Sequence, residues 1–234
     1  MRFIIAIGVL LISAPSYADI NSDCKQFTAY GAPTYTPKNG DQELCKMNYA
    51  VIHRCEVKAP VAVFEHLTPI SITGKFRRRD DFRADSNVAE ECRAKLDDYS
   101  GQPYDRGHMA PAGNNTQSKE IMSESFFLSN MIPQVPNNNR GIWKQIETHE
   151  RLLAMKKGDW YIISGGIYDD GYKTIGDGRV GVPTRLYKII YDKKSKIVWA
   201  YLMPNEALPV ADLPKYKTTV AKIQEATGMV FNLK

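Results

Sequence analysis

Residues 104–111 read YDRGHMAP, a stretch that sets an acid, a guanidinium, a glycine and an imidazole side by side before a proline. Gly107 allows either a positive φ or a close approach of the backbone to a ligand. Pro111 disfavours helix just before it, so we expect His108 at a strand end or a tight bend. Arginine grips phosphate oxygens bidentately and histidine titrates near neutral pH, so the pair suits a phosphate ester. Taken alone, the stretch also fits an exposed turn with ordinary charges.

Length and composition indicate an ordinary globular protein. The chain has 234 residues, enough for one large domain or two small ones. Its 24% charged and 43% hydrophobic residues exclude a disordered chain. The formal charge of +5 is a modest basic excess, compatible with a polyanionic partner.

The first eighteen residues differ from the rest. Arg2 precedes an apolar run at residues 3–12, and Ser16-Tyr17-Ala18 offers a cleavage site with small residues at its first and third positions. This pattern predicts a signal peptide over residues 1–18, a domain over residues 19–234, and a secreted or periplasmic protein. The apolar run is too short to span a bilayer, so we expect no membrane attachment after cleavage.

The four cysteines are Cys24, Cys45, Cys55 and Cys92, an even number in a chain predicted to be exported. They predict two disulfides, for which three connectivities are open. Zinc binding is the alternative, but the sequence contains no C-x-x-C pair and no zinc-ligand spacing. All four cysteines precede residues 104–111, so the bridges should brace the N-terminal half.

Apolar periodicity and turn residues predict an α+β fold, a single mixed domain with a largely antiparallel central sheet flanked by helices. β-branched and aromatic residues predict a hairpin from residues 49–56 and 61–67, and a short buried strand over residues 126–133. The remaining segments are an irregular arm at 21–48, strands at 160–164, 186–191, 197–203 and 229–233, and helices at 88–96, 141–157 and 220–226.

The predicted helix at residues 141–157 carries an apolar stripe of Ile142, Ile146 and Leu153. With about 100° per residue, Glu147 lies about 80° and Arg151 about 120° around the axis from Asn139. These three polar side chains can therefore line one side next to the buried stripe. As an alternative to a site residue, Asn139 is a natural helix cap.

Several blocks together resemble the DNA/RNA non-specific endonuclease family, which belongs to the ββα-metal nucleases. The first block is DRGHMAP at residues 105–111, and the second comprises LSNM at 128–131, PQ at 133–134, NN at 138–139 and residues 143–147. RRRDDFR at residues 77–83 is similar to the upstream arginine block of the family, and IQEATG at 223–228 to its closing segment. The resemblance covers the chain from about Leu44 to its end and implies a ββα-metal motif.

The resemblance implies an endonuclease that hydrolyses phosphodiester bonds of DNA and RNA with one Mg²⁺, for which Mn²⁺ could substitute. His108 would be the general base. Asn139 would be the direct protein ligand of the metal, and Glu147 would hold metal-bound waters. Asp105 would orient either His108 or those waters, and Asn130 would support the site.

Arginines would contact the phosphate in this scheme: Arg106, Arg151 and, within the run at residues 77–79, Arg78. The resemblance also favours a Cys24–Cys45 bridge, which leaves Cys55–Cys92. Whether the chain is a monomer or a homodimer, and whether a protein inhibitor binds it, stays open.

Two other functions remain compatible with the sequence. One is a non-catalytic exported module that binds nucleic acid, and the other is a phosphodiesterase for small phosphate esters. We expect no functional role for the other three histidines. His53 sits in a strand pattern, His66 has no acidic or thiol partner at useful spacing, and His149 points roughly opposite the apolar stripe of its helix. Ser164 is not expected to be a nucleophile because it lacks the G-x-S-x-G pattern.

Overall fold

A computed structural model describes residues 19–233 and contains a seven-stranded antiparallel sheet and two short two-stranded sheets. The α+β prediction is confirmed, whereas the predicted signal peptide at residues 1–18 lies outside the described residues. The strands are β1 Gln42–Cys45, β2 Tyr49–Arg54, β3 Ala59–Leu67, β4 Asp105–His108, β5 Met131–Gln134, β6 Trp160–Ile167, β7 Thr174–Ile175, β8 Val180–Gly181, β9 Arg185–Asp192, β10 Ile197–Pro204 and β11 Lys217–Thr218.

The large sheet has the strand order β1-β2-β3-β6-β9-β10-β11. The α-helices around it are α1 Pro69–Ile72, α2 Lys119–Glu124, α3 Lys144–Lys157 and α4 Val220–Thr227. Short 3₁₀ turns lie at Glu90–Cys92, Leu96–Tyr99, Ala112–Asn114, Leu128–Asn130 and Val210–Tyr216, and a π-helical turn at Asn138–Trp143 leads into α3.

Both faces of the large sheet are covered. Strands β6 and β9 are buried along nearly their whole length, and apolar residues lie on both of their faces, with Lys188 of β9 as a buried exception. On β9, Lys188 points toward α3, where its ammonium contacts Glu150. Successive strand side chains point to opposite faces, so Tyr187 and Tyr191 face away from α3, where they pack against Phe231 and Tyr30.

The motif at residues 105–108 forms β4, which pairs antiparallel with β5 and lies outside the large sheet. The π-helical turn and α3 follow β5 directly, and this gives the predicted ββα order. Gly107 does not adopt a positive φ. A Cβ there would lie 2.0 Å from Oε1 of Gln134, so the glycine is required for close approach to a side chain of the partner strand.

Several predicted elements differ from the structure at their ends or in type. The arm expected to be irregular over residues 21–48 contains strand β1 at Gln42–Cys45, which pairs with β2. The buried strand begins at Met131 because Asn130 N donates to Phe127 O and closes a 3₁₀ turn. The helix expected at 141 begins at Asn138 as a π-helical turn. The segment 88–96 forms short 3₁₀ turns instead of a helix, and the strand at 229–233 is reduced to a single bridge between Val230 and Thr34.

Two disulfides join Cys24 to Cys45 and Cys55 to Cys92, as the resemblance favoured. The first bridge ties the N-terminal arm to the end of β1, and the second ties the turn after β2 to a 3₁₀ turn. No helix within residues 19–233 is long and apolar enough to cross a membrane.

We predict that the unfolded, unreduced protein contains no reactive thiol, because all four cysteines are bridged. The bridges close loops with sequence separations of 21 and 37 residues. A disulfide that closes a loop of this size stabilises the folded state by about 2–4 kcal/mol when the bridge is unstrained. Thiol titration in denaturant tests the number of bridges, with a reduced sample as control, and four reactive thiols before reduction would contradict the prediction.

Candidate active site

A cleft of about 850 Å³ lies where β4, the segment 78–82 and α3 meet. It brings together residues that are more than 70 positions apart in the sequence. Seven of the eight predicted site residues line it: Arg78, Asp105, Arg106, His108, Asn139, Glu147 and Arg151. The eighth, Asn130, lies behind the cleft wall.

His108 ends β4, as expected, and is paired with Met131 of β5. Its imidazole is only 7% exposed and packs edge-on against Phe126, while its Nε2 atom has no hydrogen-bond partner. Burial, together with the smaller effect of the Arg78 and Arg106 charges, lowers the pKa of His108 to about 3. The ring is therefore neutral at pH 7 and can accept a proton at an unpaired nitrogen.

Asn130 is fully buried and does not touch the cleft. Its Oδ1 accepts from Ala110 N at 2.8 Å, and its Nδ2 donates to Ala110 O at 2.9 Å and to Ser125 O at 2.8 Å. Asn130 thus fixes the backbone two residues after His108. This arrangement agrees with the supporting role that the resemblance implies.

Two arginines lie near His108, each over one of the two phenylalanine rings that contact its imidazole. The Cζ of Arg106 lies 4.2 Å from the centroid of Phe82, and that of Arg78 lies 5.2 Å from the centroid of Phe126. The segment 78–82 is extended, and its alternate residues Arg78, Asp80 and Phe82 line the cleft, whereas Arg77 and Arg79 do not. Of the three arginines in the run, Arg78 is therefore the one that lines the cleft.

Asp105 makes no hydrogen bond to His108; its partners are Asn139 and Arg140. Its Oδ2 accepts from Nδ2 of Asn139 at 2.8 Å, and its carboxylate takes two hydrogen bonds from Arg140 at 2.8 Å and 2.6 Å. Burial raises the pKa of Asp105, but the bonds from Arg140 and Asn139 outweigh it, so the net shift is downward. The carboxylate therefore stays ionised and holds the side chain of Asn139. This contact differs from the two expected roles of Asp105, which were to orient His108 or to orient metal-bound waters.

Asn139 lies in the π-helical turn and is not a helix cap. The side-chain NH₂ group of Asn139 donates a hydrogen bond to Asp105. The amide oxygen of Asn139 is therefore the atom available to a cation. Glu147 lines the same cleft one element later, and burial raises its pKa to about 7 against the opposing charge of Lys188. One amide oxygen and one carboxylate fit Mg²⁺, which prefers oxygen ligands and keeps several of its waters. Within residues 19–233, no cluster of three or more acidic, histidine or cysteine side chains offers a metal site of another type.

A family model described as DNA/RNA non-specific endonuclease matches residues 26–234. The chain belongs to this family. The human nuclease EXOG, mitochondrial, is 33% identical over 213 residues, which cover 83% of this chain and 58% of EXOG. The human endonuclease G, mitochondrial, is 32% identical over 202 residues, 79% of this chain and 67% of that protein. A chain in the crystal structure of the EndoG/EndoGI complex superposes with a TM-score of 0.80 at 30% identity, and the match covers 89% of this chain and 91% of that one.

The endonuclease-family relatives correct the predicted location. EXOG, endonuclease G and a 34% identical nuclease from Schizosaccharomyces pombe are named as mitochondrial proteins. They contradict the prediction of a secreted or periplasmic protein, which was wrong. That prediction used an apolar N-terminal run and an even cysteine count, and neither feature identifies one compartment. The chain spans 58–62% of the length of the EXOG relatives.

Behind the cleft of this endonuclease-family chain lies a buried polar cluster that the sequence analysis missed. Asn114 donates from Nδ2 to Oε1 of Glu65 and to Oε1 of Glu150, both at 3.0 Å. Lys188 donates to Oε2 of Glu150 at 3.0 Å, and Arg151 donates to Oδ1 of Asn114 at 3.2 Å. Burial and the neighbouring Glu150 carboxylate raise the pKa of Glu65 to about 8. A glutamate and a lysine inside otherwise apolar strands were the available sequence signal.

The three remaining histidines lie outside the cleft. His53 is buried and contacts the Cys92 carbonyl oxygen at 2.9 Å. His149 packs against Trp199. His66 stacks on Tyr161 and, contrary to expectation, has an acidic partner in Asp159.

We predict that His108 makes the protein less stable in acid. Its folded-state pKa of about 3 lies below the ordinary value of 6.5. As the pH falls from 6.5 toward 3, the unfolded state therefore binds a proton that the folded state does not, and stability falls by up to about 1.4 kcal/mol per pH unit. Urea unfolding in EDTA at pH 7, 6, 5 and 4 should show this loss in the wild type, and His108→Gln should lack it.

His149→Gln is the matched control for this comparison, because its ring is only partly buried and should contribute a smaller pH dependence. Parallel stability curves for the wild type and His108→Gln would show that the imidazole is not held neutral by the fold.

Proposed function

We propose that this protein is a metal-dependent endonuclease that hydrolyses phosphodiester bonds in DNA and RNA. One observation carries the proposal: the neutral imidazole of His108 shares a cleft with three arginines and with the side chains of Asn139 and Glu147. Nucleic-acid binding needs only the arginines. A base and a set of cation ligands in the same cleft support hydrolysis.

In the proposed reaction, the imidazole of His108 takes a proton from the attacking water. Arg78, Arg106 and Arg151 hold the phosphate oxygens and stabilise the charge that grows on them. Asn139 and Glu147 would hold Mg²⁺, with Mn²⁺ as a substitute, and when bound the metal would neutralise charge on the phosphate and the leaving 3′-oxygen.

The division of labour between the two carboxylates follows from their surroundings. Asp105 is ionised and engaged by Arg140 and Asn139, so it orients the metal ligand and is not free to take a proton. Burial raises the pKa of Glu147, and the charges of Lys188, Arg151 and Arg78 offset this effect only in part. A cation and its waters at that carboxylate would supply the compensation.

The cleft chemistry supports substrates with a phosphodiester backbone and little sequence preference. The side chains available to a ligand are guanidinium groups, an amide oxygen and a carboxylate, which bind phosphate, sugar and metal but do not read base edges. The EndoG/EndoGI complex among the similar structures supports a protein inhibitor as a further class of partner.

Plasmid nicking and hydrolysis of a chromogenic phosphodiester, each with Mg²⁺ or EDTA, distinguish the proposed function from its alternatives. We expect Mg²⁺-dependent nicking of plasmid and cleavage of RNA. Binding without nicking would favour a non-catalytic module. Turnover of the small ester without nicking would favour a phosphodiesterase of small substrates.

We predict different defects for the base and the metal ligand. His108→Ala should lower the single-turnover rate by about 10²–10⁴ at every Mg²⁺ concentration, because the base is lost while the metal ligands and arginines remain. Asn139→Ala should weaken metal binding and regain activity at high Mg²⁺, and Glu147→Ala should do so more mildly. The measurement is single-turnover cleavage across a Mg²⁺ titration, with Mn²⁺ binding followed by calorimetry.

His149→Ala is the control, since His149 lies on α3 but outside the cleft. Circular dichroism establishes that each variant is folded. A folded His108→Ala that cleaves within a few-fold of the wild type would remove His108 from the mechanism.

We also predict a salt dependence that reports each phosphate contact. For single-stranded DNA in EDTA, the logarithm of the binding constant should fall linearly with the logarithm of the salt concentration. The slope should be about −0.7 per phosphate contact. Arg151→Ala should reduce the slope by about one contact, whereas Lys194→Ala, in an exposed turn, should leave it unchanged. Equal slopes for the wild type and Arg151→Ala, or a sharp consensus among sequenced cleavage ends, would argue against a backbone grip.

A further inference from the structure

Arg151 reaches the cleft from α3 with few restraints of its own. Its guanidinium donates to Thr148 Oγ1 at 3.4 Å, a long contact within the same helix, and to Asn114 Oδ1 at 3.2 Å. The guanidinium also lies against the backbone of Gly113, where a Cβ would come within 3.1 Å of Nη1. Asn114 is therefore the one side chain from another element to which Arg151 donates a hydrogen bond in the described part of the chain.

The amide of Asn114 can take only one orientation. The side chain is fully buried, and its Nδ2 donates its two hydrogens to the carboxylates of Glu65 and Glu150. A flipped amide would direct its oxygen at the Glu150 carboxylate, which is paired with Lys188, and its NH₂ group at the guanidinium of Arg151, with repulsion at both ends. The Oδ1 atom consequently always faces Arg151.

The acceptors of Asn114 are themselves anchored. Glu150 is held by the ammonium of Lys188, and both side chains are completely buried. Glu65 belongs to β3 and Lys188 to β9, so the cluster is built on the central sheet, with Glu150 contributed by α3. Rigid elements thus determine where the Asn114 oxygen lies.

We propose that Asn114 is a positioning residue that fixes the guanidinium of Arg151 for phosphate binding, and that the buried cluster of Glu65, Glu150 and Lys188 holds Asn114 in place. The inference rests on the proposed function, because it takes Arg151 as a phosphate ligand. An arginine that must find its position in each reaction cycle loses the benefit of preorganisation, and small misplacements are costly in catalysis.

A double-mutant cycle tests the proposal in the full chain. Single-turnover cleavage of an end-labelled single-stranded DNA is measured with Mg²⁺ for the wild type, Asn114→Ala, Arg151→Ala and the double variant. Asn114→Ala should lower the rate about ten- to a hundredfold, the range for a lost hydrogen bond to a charged group. In the Arg151→Ala background, the same substitution should change the rate less than threefold, because no guanidinium remains to be positioned.

Asn115→Ala is the matched control. Asn115 is also fully buried at the end of the same 3₁₀ turn, but it bonds to Pro111 O and Asn48 and makes no hydrogen bond to Arg151. Its effect should be equal in the wild-type and Arg151→Ala backgrounds. Coupling as strong as that of Asn114 would mean that any damage to this turn disturbs Arg151, and it would overturn the specific role of Asn114.

Gly113→Ala provides a second probe that does not depend on the buried cluster. Gly113 has no positive φ, so alanine is tolerated by the backbone, while the new Cβ displaces the guanidinium. If Asn114→Ala does not fold, Gly113→Ala should still slow cleavage in the wild type and not in the Arg151→Ala background. Equal effects in both backgrounds would overturn the inference.

The failure of this inference is distinguishable from failure of the proposed function. If the wild type does not cleave, or if Arg151→Ala cleaves as fast as the wild type, the assignment of the cleft or of Arg151 is wrong. If Arg151→Ala slows cleavage and the effect of Asn114→Ala simply multiplies with it, the function stands and Asn114 is only a structural residue.

Discussion

The absence of a side chain at Gly107 is the constraint on which the cleft depends. Gln134 fills the space that a Cβ would need, and this brings β4 and β5 together with His108 opposite Met131. Gln134 in turn donates to Oδ1 of Asn138 at 3.0 Å, at the start of the π-helical turn. The next residue is Asn139. One close backbone approach thus links the position of the imidazole to that of the amide across the cleft.

The same linkage is anchored to the large sheet beyond it. Nδ2 of Asn138 donates to the carbonyl oxygens of Pro204 and Glu206, at and just beyond the end of β10. Asn205 accepts from Val135 N at 2.9 Å and donates to the carbonyls of Pro133 and Pro183. The ββα unit is therefore bound to the sheet by buried amides. Because amides carry no charge, they hold the unit without adding a net charge beside the cleft.

The cleft and the buried cluster behind it form two layers with different charge balance. In the outer layer, the cleft, cationic side chains outnumber carboxylates, and Arg78 and Arg106 help to keep His108 neutral. The inner layer holds Glu65 and Glu150 with the single cation Lys188, and burial favours the protonated form of Glu65. Asn114 lies between the layers, with its amide nitrogen toward the carboxyl groups and its oxygen toward Arg151. An uncharged dipole is suited to this place because it satisfies both sides at once.

The local parts of this arrangement could be predicted from the sequence. The glycine and histidine of residues 105–108, the hairpin β2–β3 and the helix carrying Glu147 follow from spacing and periodicity, and the resemblance supplied their roles. What could not be predicted depended on contacts between distant segments. The ion pair of Arg140 with Asp105 and the hydrogen bonds of Asn114 join segments that only the fold brings together. The strand expected at 126–133 begins only at Met131. The backbone of Asn130 closes a 3₁₀ turn and its side chain bonds to Ala110, and these contacts outweigh the strand preference of residues 126–130.

The two ends of the described chain meet on the side of the sheet turned away from the cleft. Thr34 pairs with Val230, Asn232 donates to Ala32 O, and Phe231 and Tyr30 cover tyrosines that point away from α3. A tag, label or surface tether attached next to Asn232 would therefore leave from the back of the molecule. Joining the two ends of the described chain by a short linker and opening the chain in the exposed turn 193–196 would give a permuted protein whose cleft is untouched, since neither cut nor join contributes a residue to it.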